Sequence, residues 1–172
     1  MKHKSLVIAL IIIPMILLVI PNIVSAWYYY TFQSWDLVDS GKHLDWGGSS
    51  SYMTAWNFAV SSWNNADSNI SGIIRKDTLS TIEDVTISDV NNGDNGVVGE
   101  TWSNGKLKFN TYYMSTYSDA KRKNCAMHEL GHALRLDHRT DSGTIMYESV
   151  RSITSLNTKD KEHLTYAYSN YY

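Results

Sequence analysis

The hydrophobic pattern divides the chain in two. Lys2, His3 and Lys4 precede an apolar run from Leu6 to Ile20, interrupted only by Pro14, and Val24-Ser25-Ala26 then gives a small-x-small ending. This order predicts a secretory signal peptide over residues 1–26, cleaved after Ala26. The run is about 15 residues, short of the roughly 20 that a membrane-spanning helix needs. Beyond it the polar and apolar positions interleave. Trp27 to Phe32 (WYYYTF) reads as a first strand, and the polar, glycine-containing stretch Asp39 to Ser51 as a loop. Tyr52, Ala55, Trp56, Ala59, Val60 and Trp63 recur at three- and four-residue steps, which predicts a helix over Ser51 to Ala66. Ile70 to Arg75 and Glu83 to Val90 alternate as strands do, and a loop follows from Asn91 to Gly96. Val97 to Trp102 and Lys106 to Tyr113 flank Asn104-Gly105, a strong hairpin signal. Thr116 with Asp119 three residues on predicts a capped helix through Ala120, Ala126, Leu130 and Leu134. A last helix, from about Thr158, carries Leu164, Ala167 and Tyr168 as its buried stripe.

Composition sharpens this picture once the leader is set aside. Removing residues 1–26 from the 172 leaves 146, enough for one domain with its own core and too few for two. Both prolines leave with the leader, while the six Trp, twelve Tyr and three Phe all stay. Loss of Lys2 and Lys4 takes the 15 basic residues to 13 against 17 acidic, a formal charge of −4, which argues against nucleic acid as a partner. Cys125 is the only cysteine, so no internal disulfide can form, and packing or a bound metal must hold an exported domain together.

The second expected helix contains His128-Glu129-Leu130-Gly131-His132. Residues four apart stand one turn above each other, so both imidazoles reach one ion. Glu129 is turned about 100° from His128 and can sit beside that ion without binding it, as a base requires. His138 lies six residues past His132 and offers a third nitrogen, leaving an open position of the kind a catalytic zinc keeps. Gly143-Thr144-Ile145-Met146-Tyr147 follows.

With these residues the sequence resembles the metzincin metallopeptidases, and among them the matrixin-like group, whose HExxHxxGxxH motif precedes a methionine-containing turn. HELGHALRLDHRTDSGTIMY matches at both helical histidines, the glutamate, the third histidine and the Met-Tyr pair, and the seven residues between His138 and Met146 match the matrixin spacing. The resemblance implies an α+β domain over residues 27–172, with a twisted, mostly parallel five-stranded sheet, two long helices, a Met-turn and a C-terminal helix. It also implies one zinc held by His128, His132 and His138, Glu129 as general base on a zinc-bound water, and Met146 as an apolar floor. A protein or peptide substrate would then bind extended along an edge strand near Val97 to Trp102, with Tyr147 to Leu156 lining the pocket beyond the scissile bond. The implied protein is a secreted, extracellular monomeric endopeptidase with no membrane contact after leader cleavage. The alternative is a secreted zinc-binding or catalytically impaired module of the same fold, acting as binder or inhibitor.

Several positions depart from that pattern or stand outside it. Arg135 occupies the family's usual glycine position, where a left-handed backbone is expected, so glycine there should stabilise. The absence of histidine between His43 and His128 predicts no second zinc site, and the start of the first strand at Trp27 leads us to expect no prodomain. Asp137 is expected to point away from His138, and Glu148 or Glu162 are the other candidates for a third ligand. Asp160 matches a family aspartate that pairs with a new amino terminus, here the ammonium of Trp27. Asp89, Asn91, Asp94 and Asn95 form a candidate calcium loop, though turn chemistry explains the same residues. Cys125 reads as a small buried residue, Tyr147 as a pocket wall, and His43 and His163 as surface residues. Tyr28, Tyr29, Tyr30, Tyr171 and Tyr172 could form a sugar-binding surface.

Overall fold

The computed structural model describes residues 30–78 and 82–172. The expected leader, and the Trp27 ammonium proposed to meet Asp160, lie outside the described residues. The sheet is built from β1 (Leu44–Gly48), β2 (Ile74–Lys76), β3 (Val85–Val90), β4 (Gly99–Thr101) and β5 (Lys106–Asn110), in the order β2-β1-β3-β5-β4. Neighbours are parallel except β4, which runs antiparallel to β5 at the edge. Helices α1 (Met53–Asn64), α2 (Thr111–Met114), α3 (Asp119–Ala133) and α4 (Thr158–Tyr171) complete the order. The mostly parallel five-stranded sheet agrees with the expectation, but one of its strands was sought in the wrong place.

β1 lies inside the stretch expected to be loop, and Trp27–Phe32 supplies no strand of the sheet among its described residues. The reason is a buried charge. Asp45 sits within β1 between buried Leu44 and Trp46, and Arg75, directly opposite it on β2, grips it through Nε and Nη2 at 2.8 and 2.9 Å. An aspartate in a glycine-containing polar stretch reads as turn chemistry; a cross-strand guanidinium makes it a strand residue. Residues 31–33 instead form a strap. Asp137 N–H donates to Thr31 O at 3.0 Å, Gln33 N–H donates to Arg135 O at 2.8 Å, and Phe32 bridges Leu136.

Other boundaries shift by a turn. Ser68–Ile70 is a short 3-10 turn, so β2 begins four residues later than expected. The side chain of Asn110 accepts from Tyr112 N–H and ends β5 by opening α2. Ser118 rather than Thr116 caps α3, accepting from Lys121 N–H, while the Thr116 hydroxyl donates to Tyr113 O.

The core lies between sheet and helices. Trp56, Ala59 and Trp63 of α1 are buried with Ala126, Met127 and Leu130 of α3, and the Trp63 indole donates to Met127 O at 2.9 Å. Gly131 makes a closer approach possible: a Cβ there would lie 2.3 Å from the Met146 sulfur and 3.3 Å from Trp63. Helix α3 then ends in a Schellman motif, with Leu136 N–H donating to Gly131 O and Arg135 N–H to His132 O, both at 2.9 Å. Arg135 takes the left-handed position with φ 71°, as the family's glycine would.

The Arg135 side chain is not idle. Its guanidinium lies 4.1 Å from the Tyr171 ring centre and 3.3 Å from Asp36. These partly exposed contacts offset a left-handed penalty of about 1 kcal/mol with gains of similar size. Arg135→Gly is therefore expected to unfold in urea about 1 kcal/mol later than Arg135→Ala, which loses the same contacts and keeps the strain. Equal stability of the two variants would show that the left-handed backbone costs nothing here.

At the same corner His163, expected on the surface, is fully buried. Its Nε2 donates to Thr31 O at 2.7 Å, and Tyr30 and Phe32 cover the ring. Burial, aided by Arg139, lowers its pKa to about 4. An unfolded histidine protonates near 6.5, so its contribution is complete above pH 6.5 and is lost as pH falls through 4, by about 3 kcal/mol. His163→Gln should flatten the pH dependence of unfolding free energy over that window; an unchanged slope would remove His163 as its source.

Candidate metal centre and cleft

Helix α3 places His128 and His132 on its buried face, with 9 % and 8 % exposure. The turn at Arg135 returns His138 to them. The three Nε2 atoms lie 3.1 Å (His128–His132), 3.2 Å (His128–His138) and 3.2 Å (His132–His138) apart. Carbonyl oxygens settle which nitrogen carries the proton. His128 Nδ1 donates to Ile145 O at 2.9 Å and His132 Nδ1 to Leu136 O at 2.8 Å, so both Nε2 lone pairs face the common centre. Burial, followed by the neighbouring imidazoles, lowers His128 to about 3; burial first also lowers His132, to about 4. Both are neutral at pH 7. Three convergent imidazole nitrogens, the two on α3 with carbonyl-bound far sides, are the donor set a tetrahedral zinc takes, so the residues present fit the ion.

His138 is exposed and is held through its backbone. Its carbonyl accepts from the Thr31 hydroxyl at 2.7 Å and its N–H donates to Asp137 Oδ1, also at 2.7 Å. Asp137 Oδ1 accepts in addition from Gln33 Nε2 at 3.1 Å. The strap thus braces the third histidine, a role the sequence pattern did not reveal. Glu148 lines the cleft and Glu162 is exposed on α4, but neither belongs to the histidine cluster.

Met146 is fully buried with its sulfur against Gly131, between the two helical histidines in sequence. Asp160 fixes the turn that carries it. Its Oδ1 accepts from Ile145 N–H at 3.0 Å, and its Oδ2 accepts from Asn157 N–H at 3.1 Å in a capping box. Desolvation raises this carboxyl to about 6, with the backbone donors pulling the other way.

A cleft of about 590 Å³ opens over the histidines. Val97 to Thr101, including edge strand β4, forms one wall and Tyr147 to Val150 the other. Glu129 projects into it, 5 % exposed, and burial raises its carboxyl to about 7 against the lowering effect of a hydrogen bond from Thr101. Cys125 is buried at the cleft, and burial pushes its thiol well up, which keeps it a packing residue as expected.

The candidate calcium residues face separate protein donors. Asp89 accepts from the Ser50 hydroxyl at 2.6 Å and Ser51 N–H at 2.7 Å, Asn91 from Gly93 N–H at 3.1 Å, Asp94 from the Tyr113 hydroxyl, and Asn95 from Val97 N–H at 3.0 Å. Asn110, which the sequence did not single out, organises this loop: its Nδ2 lies within 3.2 Å of Gly93 O, Asn95 Oδ1 and Val97 O. Among the described residues a second carboxylate group, Asp39, Asp45 and Asp84, gathers around Arg75.

No curated protein matches the sequence significantly. The matrixin family model matches residues 54–169, from the second residue of α1 to within α4, and so covers the histidine cluster, Glu129, the Met146 turn and both cleft walls. Two-thirds of the chain lies within that match: the protein belongs to the matrixin family of zinc metallopeptidases.

Proposed function

We propose that the protein is a secreted zinc-dependent endopeptidase in which His128, His132 and His138 hold the metal and Glu129 acts as general base. The observation that carries this reading is the convergence of three imidazole Nε2 atoms, at most 3.2 Å apart, beside a buried glutamate at the floor of an edge-strand cleft. Zinc held there supplies Lewis-acid polarisation of the scissile carbonyl and acidifies a water near neutral pH. Glu129 removes the proton of the attacking water and delivers it to the leaving amine. β4, antiparallel to β5 and open on its other side, offers main-chain donors and acceptors to an extended peptide. Tyr147, stacked under Arg151 at 4.6 Å, stiffens the opposite wall.

Secretion belongs to the same proposal and rests on the leader pattern of residues 1–26; among the described residues no helix is long and apolar enough to cross a membrane. The impaired-module alternative rested on Arg135. That residue takes the left-handed conformation and leaves His138 in the cluster, so nothing in the geometry favours decay.

Two variants test the reading on purified protein. Glu129→Ala should keep about one zinc per chain and lose about 100- to 10,000-fold in hydrolysis of an unfolded protein. His138→Ala should lose both zinc and hydrolysis. Zinc-loaded wild type no faster than Glu129→Ala would rule out peptidase activity, and His138→Ala with full zinc would rule out that ligand.

A further inference from the structure

We propose that Thr101, at the end of edge strand β4, is a positioning residue that sets the direction in which Glu129 presents its carboxylate. The inference rests on the reading of Glu129 as the base. Thr101 Oγ1 lies 2.8 Å from Glu129 Oε2 and 3.1 Å from Glu129 O. An ionised carboxylate only accepts, so the hydroxyl donates to Oε2 and ties down one of the two oxygens.

Gly99 completes the arrangement. Residues two apart on a strand share a face, so Gly99 and Thr101 both look toward α3. A Cβ at Gly99 would lie 2.8 Å from Glu129 Cγ and 2.9 Å from Oε1. Gly99 therefore leaves the room in which the glutamate side chain lies, and Thr101 holds its far oxygen. Oε1 is left for the proton it must take.

The hydroxyl is itself well placed. Thr101 pairs with Leu107 on β5, whose side chain is fully buried, so the strand fixes the threonine from the core side. Glutamate has three rotatable side-chain bonds and would otherwise sample several orientations at the cleft floor. A base held in one of them is ready when substrate arrives. Because β4 is also the strand expected to bind substrate, one three-residue element would align both the peptide and the group that acts on it.

Deleting the hydroxyl separates this role from plain packing. In Thr101→Val, kcat should fall by about 10- to 100-fold, the usual effect of losing an orienting partner, with KM within about twofold and zinc still near one per chain. Thr101→Ser restores the donor and should recover most of the wild-type kcat. Should the valine variant fail to fold, Thr101→Ala makes the same deletion with less bulk, and the same comparison applies. Wild-type kcat in the hydroxyl-deleted variant, zinc loss in proportion to activity, or equal losses in the serine and hydroxyl-deleted variants would each overturn the proposal. A zinc-loaded wild type that cleaves nothing overturns the peptidase reading and this one with it; a cleaving wild type matched by its hydroxyl-deleted variant overturns only the role of Thr101.

Discussion

The return of His138 to the two histidines of α3 is the constraint on which the rest of the structure depends. His128 and His132 meet through helical geometry alone, one turn apart. His138 is six residues farther on, and a continued helix would carry it away from them. The chain must stop being helical at Ala133 and reverse within three residues. The Schellman hydrogen bonds and the positive φ of Arg135 accomplish this, and the strap of residues 31–33 pairs with the exposed edge of the reversed segment. The same carbonyl that follows the reversal, Leu136 O, fixes the His132 tautomer. The turn and the donor set are therefore one device.

Packing holds that device in place. Gly131 lets Met146 approach the helix between the two histidines, and Trp63 reaches the same spot from α1. Asp160 secures the Met146 turn through Ile145 N–H, and Ile145 O in turn orients His128. A short path of hydrogen bonds thus connects α4 to the Nδ1 side of the His128 imidazole, opposite the Nε2 that faces the cluster. Burying polar groups is costly unless they are satisfied, and both Asp160 oxygens and both helical Nδ1 atoms have backbone partners.

What the sequence revealed and concealed follows from the range of each interaction. His128, Glu129 and His132 were legible from the helical period, and His138 and the Met146 turn from their spacing in a motif that resembles the matrixins. α1, β3 and the start of α4 were legible from local periodicity. β1 was concealed because Asp45 becomes a strand residue only through Arg75, thirty positions later. His163 was concealed because its partner, Thr31 O, lies 132 positions away. Thr101 and Gln33 carried no signal, since their value arises when β4 and the strap fold against α3 and the reversed segment. A solitary polar residue shows its purpose only in the company the fold gives it.

The electrostatics of the site follow from the same burial. Water exclusion lowers His128 and His132 to about 3 and 4 and raises Glu129 to about 7, so each is shifted toward its uncharged form. For the histidines this favours ligation. Protons compete with a cation for Nε2 only where the imidazole titrates, and these two do so far below neutrality. For Glu129 burial raises proton affinity without removing the carboxylate from the cleft, which suits the proposed role of a base that takes a proton and then gives it up. Under the proposed reading one desolvated floor prepares two unlike chemistries, because burial favours the neutral imidazole, the form that would ligate, and raises the proton affinity of the carboxylate that would act as base.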